Sequence, residues 1–166
     1  MSRVLFKGEP VETAGDLPAE GSLAKDFSLL KSDFSEATLD SYKGKKKLLN
    51  IFPSLDTGVC AATVKTFHQK LKDQDDVVVL NISKDLPFAQ QRFCQSEGIK
   101  HAETLSAFRS SFAKDYGVEM RTGDLKGLCS RNVLILDENN RIIYAEQVPE
   151  ITQEPDYDRA LQILGF

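Results

Sequence analysis

The sequence predicts an α/β domain: a central mixed sheet flanked by helices, with a β-hairpin extension at the N-terminus. Three observations lead there. Two short, nearly continuous apolar runs, at 48–52 and 77–82, have the pattern of strands buried on both faces. A helical stripe lies between them, making a strand–helix–strand unit and so a parallel pair with a right-handed crossover. Near the C-terminus two further strand patterns flank Asp137-Glu138-Asn139-Asn140, a turn sequence that predicts an antiparallel hairpin on the same sheet.

Residues 3–13 alternate around Lys7-Gly8 and predict a short hairpin. Residues 15–25 are turn-rich, with Pro18 and Gly21, and a strand is expected at 27–30. Leu48-Leu49-Asn50-Ile51-Phe52 is the first buried strand; Pro53 stops it, because proline has no N–H for the ladder. After a polar turn, Cys60, Val64, Phe67 and Leu71 recur at offsets of four, three and four, one face of a helix. Val77-Val78-Val79-Leu80-Asn81-Ile82 is the second buried strand. Asp85 is positioned to cap a second helix that carries Pro87 in its first turn and ends near Glu97-Gly98. After an irregular stretch, strands at 132–136 and 141–145 form the closing hairpin, and a last helix fits 156–164. This order is that of the thioredoxin fold, with the N-terminal hairpin added. No repeat, low-complexity segment or linker interrupts it, so residues 1–166 are expected to form one domain.

Composition excludes several classes of function. Hydrophobic residues make up 41% of the chain and charged residues 28%, as in ordinary globular proteins. No apolar run nears the ~18 residues that span a bilayer. The opening Met1-Ser2-Arg3-Val4-Leu5-Phe6-Lys7 breaks its apolar stretch too soon for a signal-peptide core. A cytoplasmic protein with no membrane partner is therefore expected. A formal charge of -4 and a pI near 5.3 argue against nucleic acid as a partner. The basic cluster Lys43-Gly44-Lys45-Lys46-Lys47 reads as a solvated turn that keeps the emerging strand soluble.

Three cysteines, Cys60, Cys94 and Cys129, are an odd number at long spacing, unlike a secreted disulfide framework. The chain has no C-x-x-C or H-x-x-x-H pair and only two histidines, His68 and His101, so no metal is expected. Reactive thiols or buried ones remain.

The segment 53–63 joins a buried strand to a helix and so lies at the carboxyl end of a parallel sheet, where open α/β folds bind ligands. Asp56 or Thr57 is the natural N-cap, which puts Cys60 in the first helical turn. Unpaired backbone N–H groups and the helix dipole favour negative charge there, and the thiolate is the reactive form of cysteine. The position equally suits a merely buried cysteine, since Cys60 begins the apolar stripe. His68 follows eight residues later on the same helix, roughly 12 Å of axial rise away, and cannot serve as a base. A cysteine hydrolase survives only through His101. Thr63 stands where a C-x-x-C reductase would need its second cysteine.

Pro53, Thr57 and Cys60 form P-x-x-x-T-x-x-C, which resembles the active-site signature of the peroxiredoxins. Two longer strings are similar to those of one branch, the bacterial thiol peroxidases, which are atypical two-cysteine peroxiredoxins. These are Asn50-Ile51-Phe52-Pro53-Ser54-Leu55-Asp56-Thr57-Gly58-Val59-Cys60 and Asp85-Leu86-Pro87-Phe88-Ala89-Gln90-Gln91-Arg92-Phe93-Cys94. The C-terminal Glu150-Ile151-Thr152-Gln153-Glu154-Pro155-Asp156-Tyr157 resembles the same branch, and the likeness spans effectively the whole chain.

The resemblance implies a peroxidase acting on hydrogen peroxide and organic hydroperoxides, with no cofactor. Cys60 would be the peroxidatic cysteine, attacking one oxygen of the O–O bond and becoming a sulfenic acid as water or an alcohol leaves. Thr57 would set its hydroxyl toward the thiolate and the peroxide, and Pro53 would shield the thiolate from water. Arg131 matches the family's active-site arginine, a fixed cation that holds the thiolate and orients peroxide oxygens. Cys94 is implied as the resolving cysteine, in an intramolecular disulfide with Cys60 that thioredoxin reduces. Bridging needs the two Cα atoms within about 7 Å, so local unfolding around both is expected on oxidation. A homodimer in the cytoplasm is also implied. Cys129 departs from the family pattern and reads as filler of a small apolar site. The alternative from another class is a redox-sensing module that uses the same cysteine pair without turnover.

Overall fold

The structure is a computed structural model in which residues 2–166 are described. Strands β1 (Arg3–Phe6) and β2 (Glu9–Glu12) form a hairpin of their own. Its turn residues Lys7 and Gly8 both have positive φ, 52° and 84°, the twist that a two-residue hairpin turn requires. Two-residue strands β3 (Leu29–Leu30) and β4 (Glu36–Ala37) follow. The alternation then begins: β5 (Lys46–Ile51), α1 (Gly58–Leu71), β6 (Val77–Ser83), α2 (Pro87–Ser96) and β7 (Glu103–Ser106). The chain closes with α3 (Phe112–Asp115), β8 (Asn132–Leu136), β9 (Ile142–Gln147) and α4 (Tyr157–Leu164).

The main sheet has the order β4-β3-β7-β6-β5-β8-β9. Its centre, β5, β6 and β7, is parallel, while β8 runs antiparallel to β5 and β9 antiparallel to β8. This is the expected thioredoxin fold, a mixed sheet flanked by helices with a hairpin extension. The period of two along each strand divides the core. Leu48, Val133 and Ile135 face one cluster, where α1 and α4 supply Phe67, Leu71, Ala160 and Leu164. Leu49, Ile51, Leu134 and Leu136 face the other, built from Phe27, Phe112 and Tyr116. Both faces are covered, which is why these strands read as continuous apolar runs.

Four expectations need correction. The irregular stretch holds a strand: β7 (Glu-Thr-Leu-Ser) has no apolar run of its own and owes its place to pairing with β6. The strand expected at 27–30 is only Leu29–Leu30, because its partners offer little ladder: two residues of β4 and Ser106 alone in β7. Asp85 does not cap α2. Leu86 is the N-cap, without a side-chain bond, and Pro87 at the head removes one of the donors a cap would serve. The lysine cluster is solvated only in part: Lys47 is fully buried, its Nζ donating to the Lys45 carbonyl at 3.1 Å.

By contrast the 137–140 turn forms as expected, with Asp137 Oδ1 accepting from the amides of Asn139 and Arg141 at 2.9 Å each. Asp156 caps α4 by accepting from the Arg159 amide at 3.0 Å, and Gly165 ends the helix in the left-handed conformation.

Candidate active site

Cys60 and Arg131 come from opposite halves of the chain and meet because of strand direction. Cys60 follows the carboxyl end of β5. Since β8 is antiparallel to β5, the residue entering β8 lies at that same end, and Ile51 pairs with Asn132. Arg131, one residue earlier, therefore reaches α1. Its Nη2 donates to Cys60 Sγ at 3.3 Å, and its Nε donates to the Ile151 carbonyl at 2.8 Å. Both side chains are buried, Cys60 at 0% and Arg131 at 2% exposure. Nη1 is buried with no partner among the described residues.

The Ile151 carbonyl is itself held by the N-terminal hairpin. Ile151 donates its amide to the Leu5 carbonyl at 2.8 Å, and Leu5 donates to Pro149 at 2.7 Å. Glu150 accepts from the amides of Gly8 at 2.8 Å and Lys7 at 3.2 Å, tying the hairpin turn down. The extension thus supports the arginine. Nothing in the hairpin's own sequence announced this; the bonds run between ends of the chain.

Around Cys60, Phe52, Leu55 and Val64 form a small apolar cluster, with Phe93 and Ile99 packed against it. Pro53 is buried beside them in sequence. Thr57 is the N-cap of α1 but makes no capping bond; its exposed side chain donates to the Ser54 carbonyl at 3.0 Å. The structure thus unites Cys60 with Arg131, while the Thr57 hydroxyl is engaged elsewhere.

Sequence reasoning gave none of the polar groups that fix this geometry a part in the site, and read Asp85 only as a helix cap. Asn50, in the middle of β5, donates to Thr63 Oγ1 at 3.2 Å and to Asn81 Oδ1 at 3.0 Å. Thr63 in turn donates to the Cys60 carbonyl at 2.8 Å, which seats the first turn of α1 on the sheet. Asp85 accepts from Ser54 Oγ, the Leu55 amide and Ser83 Oγ at 2.7, 2.9 and 2.6 Å. The available signal was an asparagine inside each apolar run, since a buried polar group must find a partner.

Cys94 sits near the end of α2, half-buried, and all three cysteines are free thiols. Burial pushes the Cys94 thiol up, opposed by a hydrogen bond with Thr104 of β7. Its neighbour Phe93 packs toward Cys60, so Cys94 itself is turned to β7. A salt bridge from Lys65 in α1 to Glu97 at the end of α2, 2.9 Å, joins the two helices. Cys129 packs in the cluster of Val118 and Tyr116, apart from the Cys60 cluster, and burial pushes its thiol up to about 12. His68 and His101 line one cavity of about 600 Å³ with Val77 and Glu103. That is the amino end of β6 and β7, opposite the end at which Cys60 lies, so neither histidine serves Cys60 as a base.

Comparison with known proteins bears on what this arrangement does. The Redoxin family matches residues 19–161. A thiol peroxidase of Corynebacterium glutamicum is 44% identical over 99% of this chain and 100% of its own length. A thiol peroxidase of Mycobacterium bovis is 45% identical, covering 99% of each. Among solved structures, a peroxiredoxin-like protein from Aquifex aeolicus superposes with a TM-score of 0.92 at 36% identity, covering 98% of this chain and 95% of that one.

Proposed function

The chain belongs to the Redoxin family as a thiol-dependent peroxidase, and on that footing we propose that Cys60 attacks the peroxide, Cys94 resolves the product and thioredoxin restores the pair. The observation that carries this reading is the 3.3 Å bond from buried Arg131 to Cys60 Sγ in the first turn of a helix. A guanidinium stays protonated and is fixed here by Ile151, so it stabilises negative charge on sulfur without reorganising.

Cys60 as thiolate attacks one oxygen of hydrogen peroxide or an organic hydroperoxide. The O–O bond breaks, the second oxygen leaves as water or an alcohol after taking a proton, and Cys60 becomes a sulfenic acid. The buried Nη1 of Arg131 is the free donor for the peroxide oxygen as charge moves onto it. Cys60 is sealed at 0% exposure, so the substrate enters when the covering side chains part. Pro53 keeps bulk water from the sulfur. Thr57 joins only if its hydroxyl leaves Ser54 to meet the substrate.

Cys94 then attacks the sulfenic sulfur, releasing water and forming the Cys60–Cys94 disulfide. The half-buried Cys94 thiol, pushed up by that burial, is a poor nucleophile where it sits. Local unfolding of the end of α2 both carries it to Cys60 and returns it to water, where it ionises more readily. Thioredoxin reduces the disulfide by thiol–disulfide exchange. We take residues 1–166 as one domain working in the cytoplasm, as a homodimer. An exposed aromatic pair offers an apolar surface for that assembly: Phe34 and Phe88, with ring centroids 5.1 Å apart.

The test is NADPH consumption with thioredoxin, its reductase and peroxide, for the wild type and the Cys60→Ser and Cys94→Ser variants. Turnover lost in both variants supports the assignment. Turnover that survives Cys94→Ser refutes the resolving role, and turnover that survives Cys60→Ser refutes the whole reading.

A further inference from the structure

Asp85 touches both halves of the site. Its carboxylate accepts from Ser54 Oγ at 2.7 Å and the Leu55 amide at 2.9 Å, in the loop that leads to Cys60. It also accepts from Ser83 Oγ at 2.6 Å, at the end of β6. Its backbone carbonyl takes the hydroxyl of Ser106 at the end of β7. Two residues later Pro87 opens the helix that carries Cys94. The carboxylate is aimed into the Cys60 loop and away from the helix it was expected to cap. Bonds to a carboxylate acceptor are roughly twice as strong as neutral ones, so the side chain ties the loop after β5 to the end of β6, and the backbone carbonyl of the same residue adds the end of β7.

We propose that Asp85 is a positioning residue that clasps the Cys60 loop to the head of α2, and that its release governs the fate of the Cys60 sulfenic acid. The proposal rests on the Cys60–Cys94 reading above. With the clasp closed, Cys60 stays against Arg131, while Cys94 stays turned to Thr104. The first oxidation is then favoured and resolution is held back.

Two reactions compete for the sulfenic acid. Cys94 thiol attacks its sulfur, giving the disulfide and water. Alternatively a second hydrogen peroxide transfers an oxygen, giving sulfinic acid and water, a step that thiols do not reverse. The first needs the loop and helix to move; the second needs only another peroxide. Loosening the clasp therefore slows the first oxidation and at the same time lowers the share of sulfinic acid. A residue with a purely structural role does not pair a slower first oxidation with a smaller sulfinic share.

The experiment compares wild type, Asp85→Asn, Ser83→Ala and Leu71→Ala. Leu71 is a control from the far end of α1, buried in a different cluster. Each reduced protein receives graded hydrogen peroxide without reductant, and mass spectrometry gives the ratio of Cys60–Cys94 disulfide to Cys60 sulfinic acid. The rate of the first oxidation is measured in parallel. In Asp85→Asn the new NH2 cannot accept, so at least one bond is lost, and the sulfinic share is expected to fall about tenfold with a slower first step. Ser83→Ala, which removes one arm, falls between, and keeps the test intact if Asp85→Asn does not fold. An unchanged partition in both, or an equal shift in Leu71→Ala, overturns the proposal. A wild type that forms no Cys60–Cys94 disulfide overturns the underlying reading instead, whatever the variants do.

Discussion

Removing Arg131 separates two effects that the structure lets one size in advance. Arg131→Met keeps much of the side-chain volume but deletes both bonds, to the Ile151 carbonyl at 2.8 Å and to Cys60 Sγ at 3.3 Å. The orphaned carbonyl costs about 1–3 kcal/mol, partly offset because a buried cation no longer has to be desolvated. A net loss of ~1–2 kcal/mol in stability follows. The rate effect is larger. A preorganised donor aimed at developing charge is worth about 2.7–4 kcal/mol, so the rate constant for Cys60 oxidation should drop roughly 10²–10³-fold. Arg131→Lys keeps the charge but cannot hold both partners at once, and a drop of about tenfold is expected. The assay is competition for a limiting amount of peroxide against a second peroxidase of known rate, alongside urea unfolding of the reduced proteins. Wild-type oxidation rates in Arg131→Met, with a lowered unfolding midpoint, would refute the reasoning and leave Arg131 a structural residue.

Cys129→Ala is expected to leave peroxidase turnover within about twofold of wild type; the native Cys129 thiol, pushed up to about 12 by burial, should also resist alkylation at neutral pH until the protein is unfolded. Phe67→Ala removes a fully buried ring in edge contact with Tyr157, centroids 5.1 Å apart, and should cost about 3–5 kcal/mol by denaturant titration. Glu150 has its carboxyl held below the usual carboxylate range, chiefly by the Thr152 amide, then by those of Gly8 and Lys7. A depressed carboxylate stabilises above its unfolded value of ~4.3, and that contribution is lost as pH falls through the folded value. Protection of the N-terminal hairpin amides, taken relative to their intrinsic exchange rates, should accordingly fall on acidification below about pH 4, and Glu150→Gln should show the lowered protection already at neutral pH.

What was legible in the sequence is what depends on local periodicity. The runs 48–52 and 77–82 announced buried parallel strands because both faces of the sheet are covered, and the Cys60 stripe announced α1 because Val64, Phe67 and Leu71 all turn inward. β7 was not legible. Glu103, Thr104 and Ser106 are polar, and the strand exists because the edge of β6 needs a partner and Asn81 Nδ2 bonds the Glu103 carbonyl at 3.2 Å. Lys47 was misread for the converse reason. Its neighbours Lys43, Gly44 and Lys45 are exposed as their charges suggest, but the sheet begins at Lys46 and the pleat carries the next side chain inward.

The site divides along the same line. Cys60 could be located from a strand, a turn and a helix start, all within one stretch of chain. Its arginine could not be found that way: Arg131 comes near because β8 returns antiparallel beside β5, and only the whole topology brings Asn132 opposite Ile51. Asp85 shows why local rules mislead where contacts compete. An aspartate ahead of Pro87 satisfies every cue for a cap, yet the Leu55 amide and the Ser54 and Ser83 hydroxyls offer its carboxylate three donors from other strand ends. Capping is worth about 0.5–2 kcal/mol, and three bonds to a charged acceptor exceed it. The same competition makes Asp85 able to couple the Cys60 loop to the Cys94 helix: a cap would have stabilised α2 alone, whereas the clasp makes the stability of each segment depend on the other.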